Sequence, residues 1–442
     1  MLTKRRSGSP PRLLYLAFYF PPTRASGVYR SRATANHFAA KGWDVTVLTA
    51  PREFFTDYID SYDPSLESTV HPDVTVERVG LNLRRWERDI RKYSAFRANF
   101  PALYNTVNAK TQDRFFPEPY ASWIRPVVSR ALKLHAKKRF DLILATGNPF
   151  AAFAAAWIMG KLMRIPYVLD YRDSWTLDLF TDEVKYPPNN PVWKWERRVI
   201  RDAAEIVFVN EALRSWHAER YPFAADRMTV VLNGWEPEIL GEVPIRMPDP
   251  ARPLEFGFLG TVTEVMPLEV LFDSWRLARK EPPLADAKLR LYGHLGFFPQ
   301  SAARLRPRIP LDEDLGVTYE GPVPKAEVSK AYSELDILVF LAAGVKYITS
   351  GKVFEYMATG KPIVSVHDPR IAATEVLRGY PLWFSVPELE PALVRDAMVA
   401  AAAATRDLTE EQVRAARRHA RRFTRDAVLD PFEQRLRAVA HG

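Results

Sequence analysis

Short β-branched or apolar runs alternate with longer amphipathic stretches from one end of this chain to the other. No other feature restricts the fold as much, because strands of this kind pair in parallel only when helices carry the chain back between them. The first half predicts strands at Leu13–Phe18, Val45–Leu48, Leu142–Ala145, Tyr167–Asp170, Ile206–Val209 and Thr229–Leu232. The second half predicts them at Glu255–Leu259, Lys288–Tyr292, Val317–Tyr319, Ile337–Phe340 and Ile363–Val366. Between the two sets, Asn233-Gly234-Trp235 leads to a stretch, Gly241 to Pro253, that holds Pro244, Pro248, Pro250 and Pro253 and reads as a stiff, extended linker. The expectation is an α/β chain of two doubly wound, Rossmann-like domains, residues 1–240 and 250–410, facing a central cleft. The first carries an insertion at about 51–135, and an Arg-rich helical segment, 411–442, ends the chain.

A length of 442 residues, 47% of them hydrophobic and 26% charged, fits two globular domains and excludes disorder as the main state. No apolar run reaches the roughly 18 residues of a membrane span; the best, Pro149 to Gly160, stops at Lys161 and reads as a buried helix. Met1 to Arg12 contains Lys4, Arg5 and Arg6 but runs straight into a strand without a small-residue cleavage site, so it is not read as a signal peptide. The absence of cysteine removes disulfide scaffolds, thiolate zinc sites and cysteine nucleophiles, and is compatible with a cytoplasmic location. The histidines show no metal-ligand spacing, and no metal or other cofactor is expected.

Four segments fall where strands end. Tyr19 to Arg30 leaves the first strand through Pro21-Pro22, which forbid helix, and reaches Gly27 where a helix begins and its free N–H groups can face an anion. An ordinary βα loop reads the same way. Leu169-Asp170-Tyr171-Arg172-Asp173-Ser174-Trp175 sets two carboxylates and a guanidinium at a strand's carboxyl end; Asp170 is as readily a structural partner, while Arg172 and Asp173 are candidates for orienting substrate hydroxyls or developing charge. Gly260 and Thr261 form a small loop able to touch phosphate, and His294 lies at another carboxyl edge.

The most specific segment is Lys346 to Pro362. Thr349, Ser350 and Gly351 stand where a helix must start, and Gly360 and Pro362 stop it a few turns later. Backbone amides near Ser350 to Val353 with the Lys352 ammonium make a diphosphate site, and Glu355, one turn in, suits two adjacent ribose hydroxyls. Glu355 merely complementing the helix dipole, with Lys352 solvated, is the plainer alternative.

Together these segments resemble the two-domain GT-B glycosyltransferases, specifically the family 4-like type (glycosyl transferases group 1). The resemblance rests on Leu14-Tyr15-Leu16-Ala17 leading to Phe20-Pro21-Pro22 and Gly27, on His37 to Leu48, on Asp170 to Trp175, on Val231-Leu232-Asn233-Gly234, and on Ser350 to Pro362. It implies an acceptor-side first domain, a nucleotide-sugar-binding second domain, a last helix crossing back to the first, and transfer of a hexose-type sugar to an acceptor hydroxyl, with retention. In its terms Gly27, Gly260, Thr261, His294, Tyr347, Ser350, Gly351, Lys352, Val353 and Glu355 bind the donor, and Arg172, Asp173 and Lys352 serve catalysis. Glu355 matches the second of two glutamates usual in the family's donor loop, whereas Tyr347 stands at the first. A non-catalytic scaffold of the same fold, in a polysaccharide pathway, is the alternative that this departure favours.

The net charge of +9 is local. Residues 81–140 hold 14 Lys and Arg against four acids, which is +10 within that window. The window shows no nucleic-acid-binding module, and no nucleic acid partner is expected. Arg84, Arg85, Trp86, Arg88, Arg91 and Lys92, with Tyr93, are expected to meet an anionic membrane or a lipid-linked acceptor, which places the protein peripherally at a cytoplasmic membrane face.

Overall fold

The structure, a computed structural model, describes residues 10–25, 27–87, 89–296, 299–311, 313–324 and 327–441, less the side chains of residues 85, 112–115, 299 and 313. It divides into two compact units, Met1–Asp178 with Glu183–Val231 and Leu429–Gly442, and Leu179–Asp182 with Leu232–Val428.

The first unit is built on seven parallel strands: β1 (Arg12–Leu16), β2 (Asp44–Thr49), β3 (Thr75–Arg78), β4 (Leu142–Gly147), β5 (Tyr167–Tyr171), β6 (Glu205–Phe208) and β7 (Met228–Val230), in the order β3-β2-β1-β4-β5-β6-β7. The order reverses between β1 and β4, the switch point at which ligands of open α/β sheets bind. Leu13 to Leu16 are buried on both faces, as a central parallel strand requires, and Leu13 registers with Val45 on one side and Leu142 on the other. The stretch expected as one uninterrupted insertion contributes β3, an edge strand that its polar sequence, Thr75-Val76-Glu77-Arg78, concealed. An aromatic knot seats the rest of the insertion: the Phe18 ring meets Phe54, Tyr120 and Trp123 edge-on at 4.9 to 5.3 Å, and Trp123 Nε1 donates to the Val79 carbonyl at 3.2 Å.

The second unit has six parallel strands: β8 (Glu255–Leu259), β9 (Lys288–Tyr292), β10 (Val317–Gly321), β11 (Ile337–Leu341), β12 (Ile363–Val366) and β13 (Trp383–Phe384), ordered β10-β9-β8-β11-β12-β13. The two-residue β13 is too short to show a period in the sequence. Here the switch point lies between β8 and β11. Helix Leu268–Ala278 covers one face through Leu268, Leu271, Phe272 and Trp275, all buried. The proline-rich stretch packs on this unit: Leu240 and Val243 are buried, and the Arg417 guanidinium donates to the Val243 carbonyl.

The Arg-rich end forms two helices, Glu410–Arg421 and Arg425–His441. Thr409 opens the first with a capping box to Gln412, worth about 1 kcal/mol. Arg414 and Arg418 pair with Glu410 and Glu411, so much of the arginine run is spent on its own helix. The last fourteen residues belong to the first unit. There Trp43 Nε1 donates to Glu433 at 2.6 Å, and Arg435 holds Glu205 at 2.9 Å.

Candidate functional site

In the first unit the loop after β1 delivers Gly27 as the N-cap of helix Val28–Ala40, a residue with no side chain of its own to cap the first turn. Arg172, just past β5, lays its guanidinium in the space that a Cβ on Gly27 would fill. The absent side chain is therefore what lets a cation rest against this helix start. Arg172 bonds Asp173 through Nη2 and Nε at 3.0 and 3.3 Å, and Asp173 remains two-fifths exposed. Gly27, Arg172 and Asp173 are thus brought together.

Asp170 is resolved as a structural partner. Arg30, in the first turn of the same helix, grips both its oxygens at 2.8 and 2.9 Å and also donates to the Val231 carbonyl at 3.0 Å. Both charges are buried. Excellent geometry is what makes a buried pair tolerable, and this one ties the first helix to the ends of β5 and β7. Burial, reinforced by Asp170, pushes the nearby Tyr15 phenol far up. Neither Arg30 nor Glu118 was singled out by sequence. Glu118 is buried and accepts the amides of Phe150 and Ala151 at 2.7 and 2.6 Å, filling the helix start after β4 with the chain's own carboxylate. Burial pushes its carboxyl up to about 8 despite those two donors.

In the second unit helix Lys352–Thr359 follows β11 and ends at Gly360, whose φ of +79° suits a left-handed cap. Arg417 supports that end by donating to the Thr359 carbonyl at 3.2 Å. The N-cap, Gly351, is exposed, has open space where a side chain would be, and carries no side-chain cap. Ser350 Oγ accepts the Lys352 amide at 3.3 Å, and Val353 is buried. The Lys352 ammonium reaches Glu355 Oε2 at 2.8 Å, and the buried Tyr332 hydroxyl donates to the same oxygen at 3.2 Å. Tyr356, on the inner face, receives the Leu259 amide at 2.8 Å, which clamps the helix to the end of β8 beside Gly260 and Thr261.

The loops after β8 and β9 are zipped by backbone bonds: Gly260 N to Tyr292 O, Val262 N to His294 O, and Gly296 N to Val262 O, at 2.7 to 2.9 Å. The His294 residue is exposed. Tyr347 is buried and donates to Asp182 Oδ1 at 2.7 Å, while Lys346 Nζ lies 3.1 Å from Asp182 Oδ2. Burial and the bond to Asp182 push the Tyr347 phenol up to about 12. Among the described residues no group of three or more His, Asp and Glu is placed to hold a metal ion.

The basic window belongs to the first unit. Arg84 is exposed, Arg91 pairs with Asp89 at 2.9 Å, and Lys92 lies 3.9 Å from Glu87. Trp86, expected on the open surface, is half-buried, packing on the rings of Phe54 and Tyr120 at 5.3 Å; it ties the loop down. Arg88 and the side chain of Arg85 lie outside the described residues. No helix of the described chain is long and apolar enough to cross a membrane.

Residues 27–234 match the family described as glycosyl transferase 4-like domain, and residues 253–403 match glycosyl transferases group 1. No curated protein matches the chain in sequence. Among solved structures, a glycosyltransferase from Rickettsia africae aligns over 97% of this chain and 98% of its own, with TM-score 0.66 and 12% identity. Sucrose-phosphate synthase from Thermosynechococcus elongatus aligns over 97% and 99%, with TM-score 0.64 and 14% identity. HepE from Anabaena, in complex with UDP, aligns over 97% and 100%, with TM-score 0.62 and 15% identity.

Proposed function

The chain belongs to the GT-B glycosyltransferases of the family 4-like type, and from that premise we propose that it transfers a hexose-type sugar from a nucleoside diphosphate donor to an acceptor hydroxyl. The observation that carries the donor assignment is the pairing of Lys352 with Glu355 at a helix start whose N-cap, Gly351, is exposed with open space beside it. Each holds the other in position until a donor takes both. The ammonium and the amides around Ser350 to Val353 then meet the diphosphate, and Glu355 accepts from ribose hydroxyls. The structure of HepE with UDP-glucose makes UDP the first nucleotide to test.

In the transfer the acceptor oxygen replaces the phosphate oxygen at the anomeric carbon, with retention, and the acceptor's proton passes to the departing diphosphate. Negative charge grows on the departing diphosphate, and preorganised donors aimed at that charge are the main source of acceleration. Lys352 supplies the cation, so the reaction is read as metal-independent. Arg172 and Asp173 orient acceptor or sugar hydroxyls. The acceptor is a glycan, a glycolipid or a lipid-linked intermediate, reached at an anionic membrane surface on the cytoplasmic side.

Turnover of a UDP-hexose in the presence of EDTA tests this reading. Release of UDP, slow with water alone, supports the enzyme. No release from any nucleoside diphosphate sugar, with binding intact, supports the second reading, a non-catalytic scaffold. That reading has one observation in its favour: Tyr347, at the place of the family's first glutamate, is buried and committed to Asp182.

A further inference from the structure

We infer that Ile90, Phe96, Phe100, Leu103 and Val107 form the face by which this protein enters an anionic lipid bilayer. Five of the thirteen large apolar residues exposed in the described chain fall within these eighteen positions, with Ile90 73% and Phe100 58% exposed. Leu103 and Val107, four apart, share one face of helix Pro101–Phe115, while Phe96 lies on the short helix Ala95–Asn99 before it. Helices Ala95–Asn99 and Pro101–Phe115 meet at Phe100, whose amide bonds the Phe96 carbonyl and whose carbonyl takes the Tyr104 amide, both at 2.9 Å. Phe100, with φ −132° and ψ 59°, is not helical, so the chain turns there and the apolar residues are drawn from two helices and the joint between them. The Phe96 ring lies 6.1 Å from those of Phe100 and Tyr104, which gathers the aromatic groups into one patch.

The short helix that carries Phe96 is anchored to the loop before it. Arg97 donates to the carbonyls of Arg84 and Glu87 and stacks its guanidinium 3.7 Å from the Tyr93 ring centre, locking the first turn to the loop before it. A soluble protein that leaves a contiguous apolar face open is marking an interaction surface.

Charge selects the occupant. Residues 84–110, which carry these side chains, hold seven Lys and Arg against two acids, and a two-fold dimer through this face would set two such segments against each other. Anionic headgroups are instead attracted, with each Lys or Arg near the surface favouring binding by about fivefold. The contact thus centres on these apolar side chains, with Arg84 and Lys110, both exposed, on the same stretch of chain. This deepens the acceptor side of the proposed function and rests on it only for the acceptor's lipid character; the membrane contact itself is independent of the chemistry.

Co-sedimentation with phosphatidylcholine vesicles, with and without phosphatidylglycerol, tests it at low salt. The full chain is expected to pellet with the anionic vesicles only. Phe96→Ser/Phe100→Ser and Leu103→Ser/Val107→Ser are each expected to weaken binding by about tenfold or more, with the thermal midpoint and UDP affinity unchanged. Arg84→Glu/Lys110→Glu is expected to weaken it and flatten its salt dependence. The inference is overturned by no binding, by equal binding to neutral vesicles, by serine variants that bind as the parent does, or by a dimer in solution that the serine variants dissolve. Loss of UDP binding with vesicle binding intact would remove the transfer reading and leave this one standing.

Discussion

The guanidinium of Arg172 lies where a side chain on Gly27 would have to be. A glycine at a helix start and an arginine beyond a strand much later in the chain are thus one device. Gly27→Ala is expected to displace the arginine tip, because the obstructing atoms end a flexible side chain, and so to cost little stability. A misplaced orienting group costs about ten- to hundredfold in rate, and kcat/KM should fall by that much while the thermal midpoint holds. In an Arg172→Ala background the same change should add nothing further. Independent, additive losses would show that the two residues do not act together.

Asp170 and Arg30 make a buried pair. Asp170→Ala leaves the arginine charged, buried and short of its partner, at a cost of about 3–5 kcal/mol. Arg30→Met/Asp170→Leu removes both charges and is expected to recover most of that loss. Urea unfolding of the parent and the two variants reads the difference. A double variant less stable than Asp170→Ala would mean the pair contributes more than its mutual neutralisation.

Glu118 ties stability to pH. Its folded-state value is raised by burial to about 8 against an ordinary 4.5, so the folded form holds a proton that the unfolded form releases. Its contribution is full below pH 4.5 and is lost as pH climbs to about 8, a loss of a few kcal/mol. Glu118→Gln should shrink the difference between urea midpoints at pH 5 and pH 8.5. An unaltered difference would place the pH dependence elsewhere.

Tyr347 fixes the loop ahead of the donor helix through Asp182. Removing one hydroxyl in Tyr347→Phe forfeits a hydrogen bond worth about 1 kcal/mol or more to a charged group. Donor KM is expected to rise by about three- to tenfold with kcat unchanged. A fall in kcat at constant KM would instead give the phenol a part in the chemical step.

The βα alternation and the start and stop of helix Lys352–Thr359 were legible because period and capping residues are local signals. The partners were not. Nothing near Asp170 announces that Arg30, 140 positions away, will hold it, and nothing near Pro119 announces that Glu118 will cap a helix at Ala151. Strand β3 hid behind edge polarity. The basic window was visible as a count of charges, but its working face was not. Trp86 turned inward, and the apolar residues from Phe96 to Val107 show as a surface only once the two helices that carry them are known to lie open.

The central claim is that Lys352 and Glu355 hold the donor's nucleoside diphosphate. Calorimetric titration of UDP, GDP and ADP into the parent protein and into Lys352→Ala and Glu355→Ala tests it most directly. At least one nucleotide should bind the parent, and each substitution should weaken that binding by about ten- to hundredfold, the value of a charge-assisted hydrogen bond. Equal affinity in parent and variants would contradict the assignment.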